Sequence, residues 1–186
     1  MFQNLPFLPT DPIFGLMYQF REDTRAHKVN LSVGIYSNPD AGPFVFPSIQ
    51  KSAQALDIEN FNYQPIGGNK DFIKNTAQFV LGEAYTSYGW SGVATCGGTQ
   101  ACRIIGDLLK ASGHPNLLIS DPTWGNHLAL FESLNLIRIP HLTPKQTVNF
   151  EAYKDALEKA SPQSTLLLQG GQTHNPIGKN LTIKQL

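Results

Sequence analysis

Residues 93–111 read Val93-Ala94-Thr95-Cys96-Gly97-Gly98-Thr99-Gln100-Ala101-Cys102-Arg103-Ile104-Ile105-Gly106-Asp107-Leu108-Leu109-Lys110-Ala111. This stretch predicts a strand at 93–96, a turn at the paired glycines, and a helix whose apolar residues recur at helical spacing. The same alternation then continues, with strands predicted at 117–120, 136–139 and 166–169 and helices at 126–134 and 150–160. Strands that alternate with helices of this length indicate βαβ units. The chain is therefore predicted to be an α/β protein with a mainly parallel sheet.

The segments outside this stretch predict further elements. Residues 1–10 show no periodic pattern and are expected to form an extended arm, whereas Asp11 and Pro12 predict a helix start, with the helix ending near Arg25. Residues 29–36 predict a strand that runs into a turn at 37–43, and 47–56 and 71–85 predict two helices around a loop at 62–68. Thr182 predicts an N-cap followed by a single helical turn, which is not stable alone. We therefore expect the chain to be the amino-terminal part of a longer protein.

Composition argues against several classes of function. The chain carries 14 Lys and Arg and 14 Asp and Glu with no basic stripe, which predicts no nucleic-acid partner. No apolar run approaches membrane-spanning length, and the first residues lack a charged leader with an apolar core, which predicts no membrane partner and a cytoplasmic location. Cys96 and Cys102 are spaced unlike a metal-binding pair, so no metal site is predicted. Serine hydrolase and zinc protease motifs are missing from the sequence.

Gly97, Gly98 and Thr99 are the first candidate binding residues. They lie between a predicted strand and a predicted helix, where glycines let the backbone approach an oxyanion and free N–H groups point toward it. A plain strand-to-helix turn is the alternative interpretation. The motif is not the GxGxxG fingerprint of a dinucleotide-dependent oxidoreductase, and Gly178-Lys179-Asn180 does not complete a Walker A motif.

The other candidates lie in loops, two of them just past predicted strands. The indole of Trp124 could stack on a flat ligand or simply pack in the core. His127 is predicted one turn along the next helix, as a structural partner. Asn175 follows the last strand on a loop rich in Gly and Pro, at the end of the sheet where α/β proteins bind ligands. The phenol of Tyr63 could reach a phosphate or could be a surface or core residue, and Gly34 marks a place where a ligand or backbone comes close.

Taken together and in order, six segments resemble the pyridoxal-phosphate aminotransferases of fold type I, in the aspartate/aromatic branch. The segments are 11–16, 30–36, 62–68, 97–101, 121–127 and 174–178. The resemblance implies three regions: an arm at 1–10, a segment of the small domain at 11–44, and an incomplete large cofactor domain at 45–186. It also implies a homodimer whose active sites are shared between subunits.

The resemblance implies how the cofactor, pyridoxal 5′-phosphate, would be held. Gly97, Gly98 and Thr99 would bind its phosphate, with Gly97 where many relatives carry serine. Trp124 would stack on the pyridine ring, and Asn175 would donate its amide to the phenolate oxygen of the ring.

It further implies that His127 would support the partner of the ring nitrogen and that Tyr63 would reach the phosphate of the neighbouring subunit. Ile13 and Gly34 would border the substrate pocket, and Trp124 and Asn175 would also lie near the substrate.

The implied reaction moves an amino group between aspartate, or an aromatic amino acid, and 2-oxoglutarate. In the family, the lysine that forms the Schiff base and the arginines that bind the substrate carboxylates lie beyond residue 186, so no catalytic residue is expected within this chain. Lys179 and Lys184 are expected to be solvated, and the chain alone is expected to be inert. The alternative is a non-catalytic, shortened relative that acts as a dimerisation or interaction module. The loop at 169–173 is expected to be one residue longer than in close relatives, which could displace Asn175 and so affect catalysis.

Overall fold

The computed structural model describes residues 12–32, 34–38, 42–56, 62–169 and 173–186. The predicted arm at 1–10 and the predicted N-cap Asp11 lie outside the described residues. The chain divides into two compact units, residues 1–62 and residues 63–186. Among the described residues, no helix is long and apolar enough to cross a membrane.

The first unit contains two helices and a short hairpin. Helix α1 spans Pro12–Glu22, strands β1 (Ser37–Asn38) and β2 (Gly42–Pro43) pair antiparallel, and α2 spans Pro47–Gln54. The helix prediction for 47–56 is therefore confirmed, and α1 ends a turn earlier than expected.

The predicted strand at 29–36 is wrong for the residues described there. Residues 29–32 and 34–36 carry no strand, and Val29, Leu31 and Tyr36 have exposed side chains. Instead of pairing with a strand, the backbone is held locally, because Asn30 Oδ1 accepts hydrogen bonds from the Ser32 N–H and hydroxyl. The residues that do pair as strands, Ser37–Asn38 with Gly42–Pro43, lie in the segment 37–43 that the sequence predicted as a turn.

Helices α3 and α4 open the second unit. Helix α3 spans Lys70–Leu81 and begins at Asn69, whose Oδ1 accepts a hydrogen bond from Phe72 N–H at 2.9 Å. Gly82, with φ +53°, ends α3, and a 3₁₀ helix covers Gly82–Thr86, so the single helix predicted at 71–85 is divided. Helix α4 spans Gly98–Ala111, as predicted.

The predicted strand at 93–96 is also wrong. This segment has no neighbouring strand in the described part of the chain, and Val93 is exposed. Its main chain is held by two hydrogen bonds, from Ala94 N–H to Gly67 O at 2.8 Å and from Cys96 N–H to Gln100 Oε1 at 2.7 Å. An alternating apolar sequence forms a strand only where a second strand supplies hydrogen-bond partners.

The sheet confirms the predicted parallel α/β architecture. Strands β3 (Asn116–Asp121), β4 (Asn135–Pro140) and β5 (Ser164–Leu167) lie in the order β4-β3-β5, and both pairs are parallel. Helix α5 (Gly125–Leu130) connects β3 to β4, and α6 (Phe150–Lys159) connects β4 to β5. Helix α5 is shorter than predicted because the chain turns at 131–134 before entering β4.

Two buried clusters lie on opposite faces of the sheet, because side chains alternate along β3. Leu117 packs with Phe131 and Leu134, against residues of α4 and α5. Leu118 packs with Ile139 and Tyr153, against the alanines of α6. The two layers of helices hold the sheet between them and leave the carboxyl ends of its strands for the candidate site.

The close approach of Gly68 to Ala94 provides a test of this packing. Gly68 has φ +93°, and a Cβ added there would lie 2.3 Å from Ala94 Cβ. We expect Gly68→Ala to lower the free energy of unfolding by about 2 kcal/mol, because the backbone is strained for an L residue and the contact cannot relax by side-chain rotation. Urea denaturation measures this as a lower midpoint at unchanged slope. Gly67→Ala is the matched control, since its Cβ would meet nothing within 4 Å; equal losses in both variants would contradict the prediction.

The carboxyl-terminal residues form a turn with a capping interaction. Gln185 Oε1 accepts hydrogen bonds from Thr182 N–H at 2.9 Å and from the Thr182 hydroxyl at 3.0 Å. Gln185 N–H in turn donates to Thr182 O at 2.8 Å. The bond from Thr182 N–H to Gln185 Oε1 is the return contact of a capping box. Residues 183–185 form a turn and not a helix, so the role of Thr182 as an N-cap stays a prediction.

Candidate functional site

The site is built where the three parallel strands end. Ser120 and Asp121 close β3, His141 follows β4, and Gln169 follows β5. The connections from β3 to β4 and from β4 to β5 place the outer strands on opposite sides of β3. In α/β sheets, a ligand binds in the crevice outside the carboxyl ends of the strands at such a reversal of strand order.

The amino terminus of α4 is open. Its N-cap residue, Gly97, has no side chain that could cap the helix. Cβ atoms added at Gly97 and Gly98 would meet nothing within 4 Å, so the space in front of the helix is open. Gln100 turns back and accepts a hydrogen bond from Cys96 N–H at 2.7 Å. The free N–H groups and the positive end of a 14-residue helix suit an anion.

A depression of about 600 Å³ lies against this helix start, lined by Gly97, Gly98, Thr99, Gln100 and neighbouring side chains. Arg103 also lines it, but its guanidinium pairs with Asp107 at 3.2 Å and Glu132 at 3.6 Å. Backbone N–H groups and the Thr99 hydroxyl are therefore the groups here that fit a phosphate monoester.

Gly97 has a conformation that glycine adopts most easily, with φ +145° and ψ 177°. A serine at this position would be strained in the same backbone. Glycine at this position therefore permits the main-chain path into α4.

Trp124 and His127 lie together, as the sequence suggested. The Trp124 ring meets the His127 ring edge-on with 5.1 Å between centroids, and His127 N–H donates to Trp124 O at 2.9 Å. His127 is buried, and loss of hydration lowers its pKa below the usual range. Trp124 is only half-buried, so part of the indole remains available to a ligand.

Gln169 links the ends of β3 and β5. Its Nε2 donates to Ser120 Oγ at 2.9 Å and to Thr123 Oγ1 at 2.8 Å, while its Oε1 accepts from Asn175 N–H at 3.1 Å. Thr123 Oγ1 lies 2.8 Å from His127 Nδ1. One side chain therefore connects the loop of Trp124 with the loop of Asn175.

A buried pair of imidazoles lies beneath the Asn175 loop. The rings of His141 and His174 stack with 3.8 Å between centroids, and both residues are almost fully buried. His141 bonds to the Tyr153 hydroxyl through Nδ1 and to Lys179 O through Nε2, each at 2.8 Å. Burial, and next the neighbouring His141, lower the pKa of His174 to about 4.

This pair was not predicted from the sequence. His141 lies 33 positions before His174, and nothing in their local patterns indicates that they stack. Ser120, Gln169 and Tyr153 were also missed as members of the polar network. One feature of the sequence could have identified Ser120 and Gln169: both are polar residues at the ends of apolar strands.

Asn175 is exposed, and the hydrogen bonds described around it are made by the main chain of its loop. Besides the bond from its N–H to Gln169, the preceding His174 N–H donates to Asn180 Oδ1 at 2.8 Å, and Gly178 N–H donates to His174 O at 2.6 Å. The carboxamide is thus presented on an anchored loop.

The other residues that the sequence singled out are Tyr63, Ile13, Gly34 and two lysines. Tyr63 is 98% exposed, on a loop whose Gly67 O accepts the Ala94 N–H. Ile13 and Gly34 belong to the first unit. Lys179 Nζ donates to Gln146 O, and Lys184 is exposed.

Comparison with known proteins decides the family. The sequence model described as "Aminotransferase class I and II" matches residues 26–186. The chain belongs to the class I and II aminotransferases. Its fold is that of the fold type I pyridoxal-phosphate transferases, as the resemblance implied.

Three members of this aminotransferase family illustrate the similarity. "Aspartate aminotransferase P2, mitochondrial" of Lupinus angustifolius is 35% identical, over 99% of this chain and 42% of the relative. "Aspartate aminotransferase" of Escherichia coli K12 is 32% identical, over 100% of this chain and 49% of the relative. The aromatic-amino-acid aminotransferase of Burkholderia pseudomallei, solved covalently bound to pyridoxal phosphate, has a TM-score of 0.86 and 30% identity, over 100% of this chain and 48% of that structure. The chain spans about half the length of the relatives it matches.

Proposed function

We propose that the protein carrying this chain is a transaminase that moves an amino group between aspartate, or an aromatic amino acid, and 2-oxoglutarate with pyridoxal 5′-phosphate. One observation carries the proposal: Gln169 connects the loop of a half-buried indole, Trp124, to the loop of an exposed carboxamide, Asn175, at the carboxyl edge of a parallel sheet. A flat heteroaromatic ring that bears an oxygen would use both groups, the indole by stacking and the carboxamide by donating a hydrogen bond. The relatives named above support the reaction class.

The residues present fit the cofactor. Gly97, Gly98 and Thr99 would hold its phosphate at the uncapped start of α4. Trp124 would cover one face of its ring, and Asn175 would donate its amide to the ring oxygen. When bound, the cofactor supplies an electron sink that stabilises the negative charge left by loss of the α-proton of an amino acid.

The chain's own contribution is to bind and orient. His127 would support the group that pairs with the ring nitrogen, from its buried position behind Trp124. The cluster His141–His174–Asn180 would hold the Asn175 loop in place. Lys179 is not proposed to act in the reaction, because its ammonium group is bonded to Gln146 O.

Substrates and assembly belong to the same proposal. Ile13 and Gly34 would border the substrate pocket beside Trp124 and Asn175. Tyr63, whose phenol extends into solvent, would reach the cofactor phosphate of a second subunit in a homodimer. The division at 10/11 and 44/45 into arm, small-domain segment and large-domain segment also stays a prediction. So does a cytoplasmic location, since the lupin relative is named mitochondrial.

The second candidate function is an interaction module without catalysis. It is favoured by the exposed apolar residues along α3, among them Phe72, Phe79 and Val80. In that case the chain would dimerise but would not respond to the cofactor.

The deciding experiment uses the full-length protein. Addition of pyridoxal 5′-phosphate is expected to produce a visible absorption band, which should change on addition of aspartate or an aromatic amino acid and return with 2-oxoglutarate. A protein that stays colourless with the cofactor would contradict the proposal and favour the interaction module.

The Asn175→Ala variant tests the proposed role of the carboxamide. We expect kcat/KM to fall about 10- to 100-fold and the absorption band to shift, because a hydrogen bond to a charged oxygen contributes about 1.5–3 kcal/mol. The matched control is Asn75→Ala, on the exposed side of α3. If Asn175→Ala retained the activity and the band of the control, Asn175 would not contact the ring.

A further inference from the structure

We propose that Gln100 is a specificity-determining residue of the phosphate site at the start of α4. Its side-chain oxygen holds the loop that precedes the helix, and its side-chain nitrogen adds a neutral donor to the backbone N–H groups and the Thr99 hydroxyl. This role rests on the proposed function, which places the phosphate of the cofactor at this helix start. It adds a residue that the Gly97-Gly98-Thr99 motif does not contain.

The orientation of the Gln100 amide is fixed by one hydrogen bond. Cys96 N–H lies 2.7 Å from the amide and can only donate, so the amide presents its oxygen to that group. The Nε2 group keeps two protons, and no protein acceptor meets them in the described part of the chain. Gln100 is exposed and lines the depression of about 600 Å³ at the helix start. The group that Gln100 has free for a ligand there is therefore a donor.

The contact is one half of a helix capping box. In that motif a Ser or Thr at the N-cap accepts from the N–H of the third helical residue, and the side chain of that third residue returns a bond. Gln100 is the third residue of α4 and returns its bond to Cys96, one position before the N-cap. Gly97, at the N-cap, has no side chain to make the other half. The N–H groups of the first turn therefore stay available to an anion.

A second contact fixes the direction in which the main chain of Gly97 faces. Gly97 O accepts hydrogen bonds from the Thr95 hydroxyl and from Ala101 N–H, each at 3.1 Å. In a trans peptide the N–H points opposite to the carbonyl, so the next N–H, that of Gly98, points away from the helix body. Thr95 and Gln100 thus hold the loop on both sides of Gly97 and leave the first N–H groups of α4 free for a phosphate.

The amide matters because it is neutral. Glu is as suitable as Gln at this position of a capping box, and its charge also suits the positive end of a helix. A carboxylate here would hold Cys96 N–H equally well, but it would set a negative charge against the negative charge of a phosphate. Arg103 does not compensate, because its guanidinium pairs with Asp107 and Glu132. Glutamine therefore anchors the loop and keeps the site open to phosphate.

Gln100→Glu is the sharpest test, because it keeps the acceptor for Cys96 N–H and replaces the free donor with a negative charge. Without ligand, the full-length variant is expected to unfold at no lower a urea concentration than wild type. Inorganic phosphate should raise the unfolding midpoint of wild type, as any ligand of the folded state does. We expect the phosphate dissociation constant of the variant to be at least about tenfold higher, because a hydrogen bond to a charged group is lost and a like charge replaces it.

Two further variants separate the free donor from the anchor and from charge in general. Gln100→Met removes both the oxygen and the nitrogen at similar length, so it should lower the unfolding midpoint as well as weaken phosphate binding. Gln50→Glu adds the same charge near the start of α2, another helix whose N-cap makes no side-chain hydrogen bond. This control should leave phosphate binding unchanged.

The outcomes separate the role of Gln100 from the proposed function. Weaker phosphate binding by Gln100→Glu with an undiminished urea midpoint supports the role. It is overturned if Gln100→Glu binds phosphate as wild type does, if Gln50→Glu loses as much affinity, if wild type does not bind phosphate, or if Gln100→Glu unfolds as early as Gln100→Met. If phosphate binding responds as expected but pyridoxal 5′-phosphate produces no visible band, the proposed function fails and the role of Gln100 in binding phosphate stands.

Discussion

Replacement of Phe131 by alanine is expected to lower the free energy of unfolding by about 4 kcal/mol, the largest loss we expect from a single substitution here. Phe131 is 1% exposed and packs with Leu117 and Leu134 on the α4 side of the sheet. A Cβ added at Gly106 of α4 would lie 3.0 Å from Phe131 Cδ1. The ring is therefore packed tightly against α4. Urea unfolding at neutral pH measures the loss.

The substitution is also expected to disturb the candidate site. The Phe131 ring lies 5.8 Å from that of His127, which itself contacts Trp124. Loss of the ring would allow α5 to move against α4 and would loosen the support of the indole.

Phe79→Ala is the matched control, since Phe79 lies on α3 and is 89% exposed. Removal of an exposed ring should change stability by no more than about 0.5 kcal/mol. A Phe131→Ala protein as stable as this control would show that the cluster does not hold α4 against the sheet.

Acidification should remove about 3 kcal/mol of stability between pH 6.5 and about 4, through His174. The pKa of His174 falls from 6.5 in the unfolded chain to about 4 in the fold, so the unfolded chain binds more protons in this interval. Stability therefore rises with pH across the interval. The contribution of His174 is fully present above pH 6.5 and is lost as the pH falls toward 4. Burial lowers the pKa of His127 too, which adds to the effect in the same direction.

The measurement is the unfolding free energy at half-unit steps of pH, for wild type and His174→Gln. The variant should show a shallower slope in the acid interval, because the group responsible has been removed. His27→Gln, which replaces an exposed histidine in the first unit, should keep the wild-type slope. Equal slopes in wild type and His174→Gln would contradict the assignment to His174.

The sequence predicted the fold best where elements depend on local chemistry. The helices at 70–81, 98–111 and 150–159 each carry apolar residues at helical spacing, and they lie within a few residues of their predicted positions. The parallel sheet followed from the alternation of strands and helices. The two wrong strands, at 29–36 and 93–96, have suitable residues, but pairing depends on a partner elsewhere in the chain, which a local pattern does not reveal.

For the site, the loops could be predicted but their connections could not. Trp124, His127 and Asn175 follow predicted strands, and their roles remain proposals. The side chains that join them do so across long separations: Gln169 meets Ser120 from 49 positions away, and His141 bonds to Lys179 across 38. Such contacts arise only when the strand order brings these ends together. Gln169, which connects the two loops, therefore could not be recognised from the sequence.

The edge-on contact of Trp124 with His127 provides the protein with an optical reporter. A protonated imidazole beside an indole quenches its emission, so the ionisation of His127 should be visible in the light emitted by Trp124. Trp90, which lies beside Tyr85, emits in the same range, so a Trp90→Phe variant isolates the signal of Trp124. The state of this buried histidine can thus be followed in solution with a fluorimeter, without isotopic labels.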